Sequence, residues 1–140
     1  MIYINENQKK QPKELKALTL AYVGDAVFEV FIREYVVSKG GPPNVLHKLA
    51  TKYVSAKAQA TMIHSLLDQL TEEEVDVVKR GRNAKSHTSP KNANITDYRY
   101  STGFEALIGF LYLMSRKDRL EEIVKKAIEI IEGDNEENAK

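Results

Sequence analysis

Apolar residues recur along most of this chain at intervals of three and four, and no segment sustains a period-two alternation bounded by hairpin turns. The pattern predicts an all-α protein. Pro12 suits the first turn of a helix through Leu15 and Leu18, with a break expected near Thr19. Val23, Val27, Val30 and Phe31 carry the pattern on until Gly40-Gly41-Pro42-Pro43 ends it. Asn44 can cap a helix through Leu46 and Leu49, and Ser55 another that carries Ala58, Met62, Leu66 and Leu67. Thr71 and Glu74 have the spacing of a capping box and open a helix toward Lys79. Arg82 to Asn94 is rich in Asn, Ser, Thr and Lys with Pro90, and reads as a loop. A nearly all-apolar helix follows from Thr96 or Ser101 to Met114, then an amphipathic one through Leu120, Ile123, Val124, Ala127, Ile128 and Ile131. Gly133 is expected to stop that helix and leave residues 133–140 as a frayed acidic tail. With no internal repeat and no linker, residues 1–140 read as a single domain with an ordered core from about 12 to 132.

A carboxylate interrupts the apolar pattern in each of two distant stretches. Asp25 lies within Leu20-Ala21-Tyr22-Val23-Gly24-Asp25-Ala26-Val27, and Glu105 within Phe104-Glu105-Ala106-Leu107-Ile108-Gly109. A carboxylate on a buried face loses its hydration and needs a cation, hydrogen-bond donors or a metal ion in return. Two of them from distant segments predict one shared site. After Gly24, Asp25 could instead cap a new helix, but Leu18, Val23, Val27 and Val30 favour a helix running across it, beside Ala21, Tyr22, Phe28 and Glu29. Small Ala21 leaves room next to the carboxylate, and Glu29 reads as a solvated residue rather than a partner of the site. Glu105 by itself would suit an exposed first turn, whereas its apolar neighbours imply burial. Gly103 and Gly109 permit close approach of another backbone, and Gly109, one turn from Glu105, suggests tight packing against a neighbouring helix, with a dimer axis as one place for it.

A chain of 140 residues can bury roughly two thirds of its unfolded surface without covalent staples. The absence of cysteine excludes disulfides and thiolate metal sites and fits a reducing compartment. The N-terminus has no basic stretch leading into an apolar core, and the longest apolar run, Ala106 to Met114, is far below the ~20 residues that span a bilayer. A soluble, cytoplasmic protein with no membrane partner is expected. The net charge of +1 is unevenly spread: Lys79, Arg80, Arg82, Lys85, Lys91 and Arg99 face only Asp97 within their stretch, leaving the remainder at −4. Such a patch can hold a polyanion. His47, His64 and His87 lack the spacing of a zinc site, and Gly81 to Ser86 lacks the second glycine and preceding strand of a phosphate loop.

Tyr22-Val23-Gly24-Asp25-Ala26-Val27 resembles the signature helix of ribonuclease III, and Phe104-Glu105-Ala106-Leu107-Ile108-Gly109 resembles that family's second acidic helix. The intervening Arg80-Gly81-Arg82-Asn83-Ala84-Lys85-Ser86-His87 and Tyr98-Arg99-Tyr100-Ser101-Thr102 are similar to the small branch called Mini-ribonuclease III, over about Leu15 to Met114. The resemblance implies an all-helical, homodimeric endonuclease that cuts both strands of double-stranded RNA with Mg²⁺, Asp25 and Glu105 being the metal-binding, catalytic pair. It further implies a substrate, the stem formed by the ends of the 23S ribosomal RNA precursor, with a ribosomal protein on that precursor as a candidate partner. Full-length ribonuclease III usually has further carboxylates where this chain has Ala21, Leu18 and Thr102, and a double-stranded-RNA-binding domain for which no room remains after Lys140. Mini-ribonuclease III is similar in both respects. The reduced set leaves open how many metals bind, and motivates an alternative, a catalytically idle RNA-binding module.

Hard carboxylate oxygens suit Mg²⁺, which keeps several waters and uses one or two protein carboxylates. A-form RNA is recognised by shape, phosphates and 2′-hydroxyls. Arg80, Arg82, Lys85, Lys91 and Arg99 supply cations for it, while Asn83, Ser86, His87, Thr88 and Asn92 supply uncharged polar contacts. Lys48, Lys52 and Lys57 can extend that surface, and Tyr98 and Tyr100 suit either RNA contact or core packing.

Overall fold

The computed structural model describes residues 10–85 and 94–139, and among them the regular elements are all helical. Helix α1 spans Ala17–Val37, α2 Pro43–Val54, α3 Ala56–Leu66, α4 Glu72–Asn83, α5 Ile95–Leu113 and α6 Lys117–Ala139, with short 3₁₀ turns at Pro12–Glu14 and Leu67–Gln69. The expected all-α class therefore holds.

Local chemistry accounts for most boundaries. The Ser55 hydroxyl accepts from the Ala58 N–H at 3.1 Å. In the Thr71 capping box, Thr71 Oγ1 accepts from the Glu74 N–H at 3.2 Å and Glu74 Oε1 accepts from the Thr71 N–H at 2.9 Å. Asn94 Oδ1 opens α5 by accepting from the Asp97 N–H at 3.1 Å.

Four boundaries depart from the sequence expectation. The break before α1 falls at Leu15 and Lys16, both extended, rather than at Thr19, and it lets Leu15 pack against the core. Helix α2 starts at Pro43, whose fixed φ suits the first helical position, so Asn44 lies inside the first turn instead of capping it. Helix α4 continues to Asn83, which makes Arg82 and Asn83 helical rather than part of the loop. Its last turn is held by packing, since a Cβ on Gly81 would lie 2.8 Å from the Cα of Gly103 in α5. Gly133 does not stop α6, whose backbone stays helical to Ala139. A helical glycine costs only about 1 kcal/mol relative to alanine, and Gly133 does not adopt the left-handed φ of a terminator.

Helix α5 is the hub, with α1, α3 and α4 packed around it. Its Phe104, Leu107, Ile108, Phe110 and Leu111 are all buried. Helix α1 buries Leu20, Gly24, Phe28, Ile32 and Val36 and meets α5 at Leu20, Gly24 and Phe28, the rings of Phe28 and Phe104 packing edge to face with centroids 4.9 Å apart. That stripe differs from the expected one: Leu18 and Val30 are 40% and 55% exposed, so α1 carries a second apolar face pointing away from α5.

Helix α6 is fastened at both ends of its ordered contacts. Arg119 donates to buried Glu74 from Nε at 2.9 Å and Nη2 at 2.7 Å, and to the Gln69 carbonyl at 3.0 Å. Burial works to raise the Glu74 pKa, but the Arg119 guanidinium and the Thr71 N–H outweigh it and hold the carboxyl below its ordinary value. Further along, Glu132 accepts from the hydroxyls of Tyr35 and Tyr53 and from Lys39 Nζ, joining α6 to α1 and α2.

Candidate active site

Asp25 and Glu105 sit mid-way along α1 and α5, and glycine brings them together. A Cβ built on Gly24 would lie 1.7 Å from the Glu105 carbonyl oxygen, and one on Gly109 would lie 1.9 Å from the Leu20 carbonyl oxygen. Real Cβ atoms cannot approach so closely, so the two helices cross with backbone against backbone. Asp25, next in chain to Gly24, is thereby set against the Glu105 side chain. Gly109 thus packs tightly against a neighbouring helix, as expected, and that neighbour is α1 of the same chain rather than a helix across a dimer axis. Gly103 likewise packs on α4, where a Cβ would lie 2.7 Å from the Val78 carbonyl oxygen.

The carboxyl groups of Asp25 and Glu105 lie within hydrogen-bonding reach of each other. The Glu105 pKa is pushed up to about 9, first by burial and then by the hydrogen bond and charge of Asp25, with Glu29 adding its charge and the Gln59 amide opposing. Asp25 itself is exposed and Glu105 partly buried, so the expectation of two buried carboxylates is corrected. The reason is geometric: the buried stripe of α1 runs through Gly24, and its neighbour Asp25 falls at the edge of the helix contact. Glu29, read from sequence as merely solvated, pairs with Arg33 at 3.2 Å and also contributes to the field on Glu105.

Gln59 escaped the sequence reading. It is only 2% exposed on α3, its Nε2 donates to the Val54 carbonyl at 3.3 Å, and its Oε1 has no hydrogen-bond partner. The signal was an amide at a core position of α3, between Ala58 and Ala60.

Where fuller ribonucleases carry more carboxylates, this chain has Ala21, which is buried, Leu18, which is exposed, and Thr102, whose hydroxyl donates to the Tyr98 carbonyl at 3.0 Å. Among the described residues no cluster of three or more His, Cys, Asp or Glu suited to a metal is assembled. The donor set is a carboxylate pair with excess proton affinity beside an orphaned amide oxygen. It fits a hard divalent cation that retains much of its water, because such a cation neutralises both carboxylates at once.

The basic residues divide into groups. Arg82 closes α4, with its guanidinium 5.7 Å from the ring centroid of Tyr100, whose other neighbour is His64 at 4.1 Å between centroids. Tyr100 also packs against the core, the packing role that the sequence left open. Arg99 is exposed on α5, six residues before Glu105, or roughly 9 Å of helical rise. Arg80 is exposed, but its Nη2 donates to the Leu15 carbonyl at 3.1 Å, tying it to the entry of α1. Asn83 accepts from Arg82 Nε at 3.1 Å, and Lys85 is exposed. Lys52 and Lys57 are exposed near the α2–α3 junction, away from the Arg82–Tyr100 stack on the opposite end of α3. Ser86, His87 and Lys91 lie outside the described residues, as do Thr88 and Asn92.

Helices gathered about a central α5, with Asp25 and Glu105 presented from a glycine-locked crossing, define a ribonuclease III-type domain. Residues 18–116 match the Ribonuclease III domain, and the chain belongs to the ribonuclease III family. A Mini-ribonuclease 3 of Enterococcus faecalis is 55% identical over 127 residues, covering 89% of this chain and 96% of that protein. Those of Brevibacillus brevis and Staphylococcus aureus are 50% and 49% identical, covering 93% and 91% of this chain and 98% of each relative. The crystal structure of a Fusobacterium nucleatum protein superposes with a TM-score of 0.77 at 30% identity, covering 86% of this chain and 98% of that one. The activity is that of a ribonuclease III-type endoribonuclease, and its substrate class is RNA. No helix among the described residues is long and apolar enough to cross a membrane.

Proposed function

We propose that this chain, working as one catalytic domain over residues 1–140, is a Mg²⁺-dependent endonuclease that cuts both strands of double-stranded RNA. The observation that carries the reading is the meeting of Asp25 and Glu105 at the α1–α5 crossing, where two carboxyl groups within hydrogen-bonding reach form a pair of hard oxygen donors for a divalent cation. Asp25 and Glu105 would hold the Mg²⁺. When bound, the ion supplies charge neutralisation at a phosphodiester and acidifies water at neutral pH. The chain's own contribution is to fix both carboxylates from rigid helices, so that neither must be ordered as the substrate arrives.

The RNA-facing surface comprises Arg82, Asn83, Lys85 and Arg99, extended by Ser86, His87 and Lys91, with Arg80, Lys52 and Lys57 at its margins. Stacking on Tyr100 limits the freedom of Arg82, which lowers the entropic cost of its contact with a phosphate. Replacing Arg82 and Lys85 by Ala is expected to weaken binding to paired RNA and to reduce the salt slope of log K by roughly 1 per residue. An unchanged slope in a filter-binding titration assigns the RNA surface elsewhere.

The family resemblance supports the 23S precursor stem as the biological substrate, with a ribosomal protein on it as a partner and the cytoplasm as the place of work. It also supports a homodimer, for which the second apolar face of α1 is suited. Tyr22, Val30 and Val37 are 82%, 55% and 60% exposed there, and beside it Ala26, Val27, Val30, Phe31, Tyr112 and Leu120 line a groove of about 660 Å³. Light scattering at micromolar concentration is expected to give twice the chain mass; a stable monomer contradicts the dimer. The reduced carboxylate set favours a second reading, an idle RNA-binding module, which salt-sensitive binding without cuts would support.

A further inference from the structure

We propose that Gln59 is a positioning residue of the site: its amide braces Glu105 and its Oε1 accepts a hydrogen bond from the hydration shell of the divalent cation that Asp25 and Glu105 hold. The inference rests on the cation reading above and adds a third helix, α3, to the site.

A buried amide is costly unless both its donor and acceptor sides are used. Gln59 is 2% exposed, on the side of α3 that also buries Met62, Ile63 and Leu66. A leucine or methionine would fill the same space with no polar group to satisfy. The amide instead makes one long bond from Nε2 to the Val54 carbonyl at 3.3 Å and comes within hydrogen-bonding reach of Glu105. Its Oε1 is the one fully buried side-chain oxygen or nitrogen left without a partner among the described residues. With a divalent cation bound, Asp25 and Glu105 are ionised, act as acceptors only and cannot satisfy another acceptor. In that state the donor that suits Oε1 arrives with the site's occupant, and polarised water around a divalent cation is such a donor. The orphan oxygen is thus explained by the same cation that explains the carboxylate pair.

The test uses the full chain with Gln59→Leu and Gln59→Glu beside wild type. Calorimetry would measure Mg²⁺ and Mn²⁺ binding, thermal melting in chelator would measure folding, and single-turnover cleavage of paired RNA would be followed against Mg²⁺ concentration. Gln59→Leu is expected to melt at or above the wild-type temperature, because it removes an unsatisfied buried group. It should nonetheless bind the cation about tenfold more weakly and need correspondingly more Mg²⁺ for half-maximal cleavage. Gln59→Glu keeps an acceptor oxygen and should bind the cation at least as well as wild type while melting lower in chelator, where a third carboxylate joins the pair. Wild-type affinity and Mg²⁺ requirement in Gln59→Leu would overturn the proposal. So would a drop in its melting temperature that parallels lost binding, which assigns Gln59 to core packing. A wild-type chain that takes up no divalent cation would instead overturn the cation reading itself, and this inference with it.

Discussion

Gly109→Ala is expected to destabilise the protein by about 3 kcal/mol, near the upper end for overpacking a core, and to remove cleavage beyond the loss of folded protein. The added Cβ would lie 1.9 Å from the Leu20 carbonyl oxygen, a backbone atom that cannot swing aside as a flexible side chain can. The helices must then move apart at the crossing that aligns Asp25 with Glu105. Gly24→Ala should behave alike, since its Cβ would meet the Glu105 carbonyl oxygen at 1.7 Å. Gly133→Ala is the internal control: nothing lies within 4 Å of its Cβ, and alanine is the better helix former by about 1 kcal/mol. Urea unfolding of the three variants measures the contrast. Wild-type stability in both crossing variants would show that α1 and α5 are not held backbone to backbone.

Glu105→Gln is expected to lower cleavage by roughly a thousandfold or more, as removal of a preorganised electrostatic group does, while making the metal-free protein more stable at neutral and alkaline pH. The sign follows from linkage. The Glu105 carboxyl has an ordinary value of 4.5 and a folded value of about 9, so the folded state keeps a proton that the unfolded state has lost. Its contribution to stability is complete below 4.5 and declines as pH rises through about 9. Glutamine has no such proton to lose. In chelator the melting temperature of the variant should therefore exceed that of wild type by a margin that widens from pH 5 to pH 9. Mg²⁺ should raise the wild-type melting temperature and leave the variant nearly unmoved, because only the wild type has the full carboxylate pair. A variant that gains no stability at high pH would place Glu105 in solvent, away from Asp25.

The fold was legible where local chemistry decides it. The Thr71 capping box, the Ser55 cap and the all-apolar α5 follow directly from residue spacing, and so did the helix running across Asp25. The pairing of Asp25 with Glu105 was foreseeable from two misplaced carboxylates, although neither is fully buried. Tertiary packing concealed the rest. Which of two apolar faces of α1 meets α5 depends on Gly24, and periodicity weighted toward large residues chose Leu18 and Val30, which are exposed. Arg82 and Asn83 read as loop because of the polar run that follows them, yet the missing side chain of Gly81 lets Gly103 approach and keeps the last turn of α4 intact. Gly109 showed that close packing exists but not with which partner. Gln59 carried no motif, and its significance appears only when its burial and its proximity to Glu105 are both seen.

The most direct measurement of the account is incubation of the purified chain with a perfectly paired RNA and a large-subunit precursor stem, each with Mg²⁺ and with chelator, beside Asp25→Asn. The account predicts double-strand cuts that need Mg²⁺, favour the precursor stem and vanish in the variant while the variant still binds RNA. Cuts that persist in Asp25→Asn, or salt-sensitive binding without any cut by wild type, would contradict it.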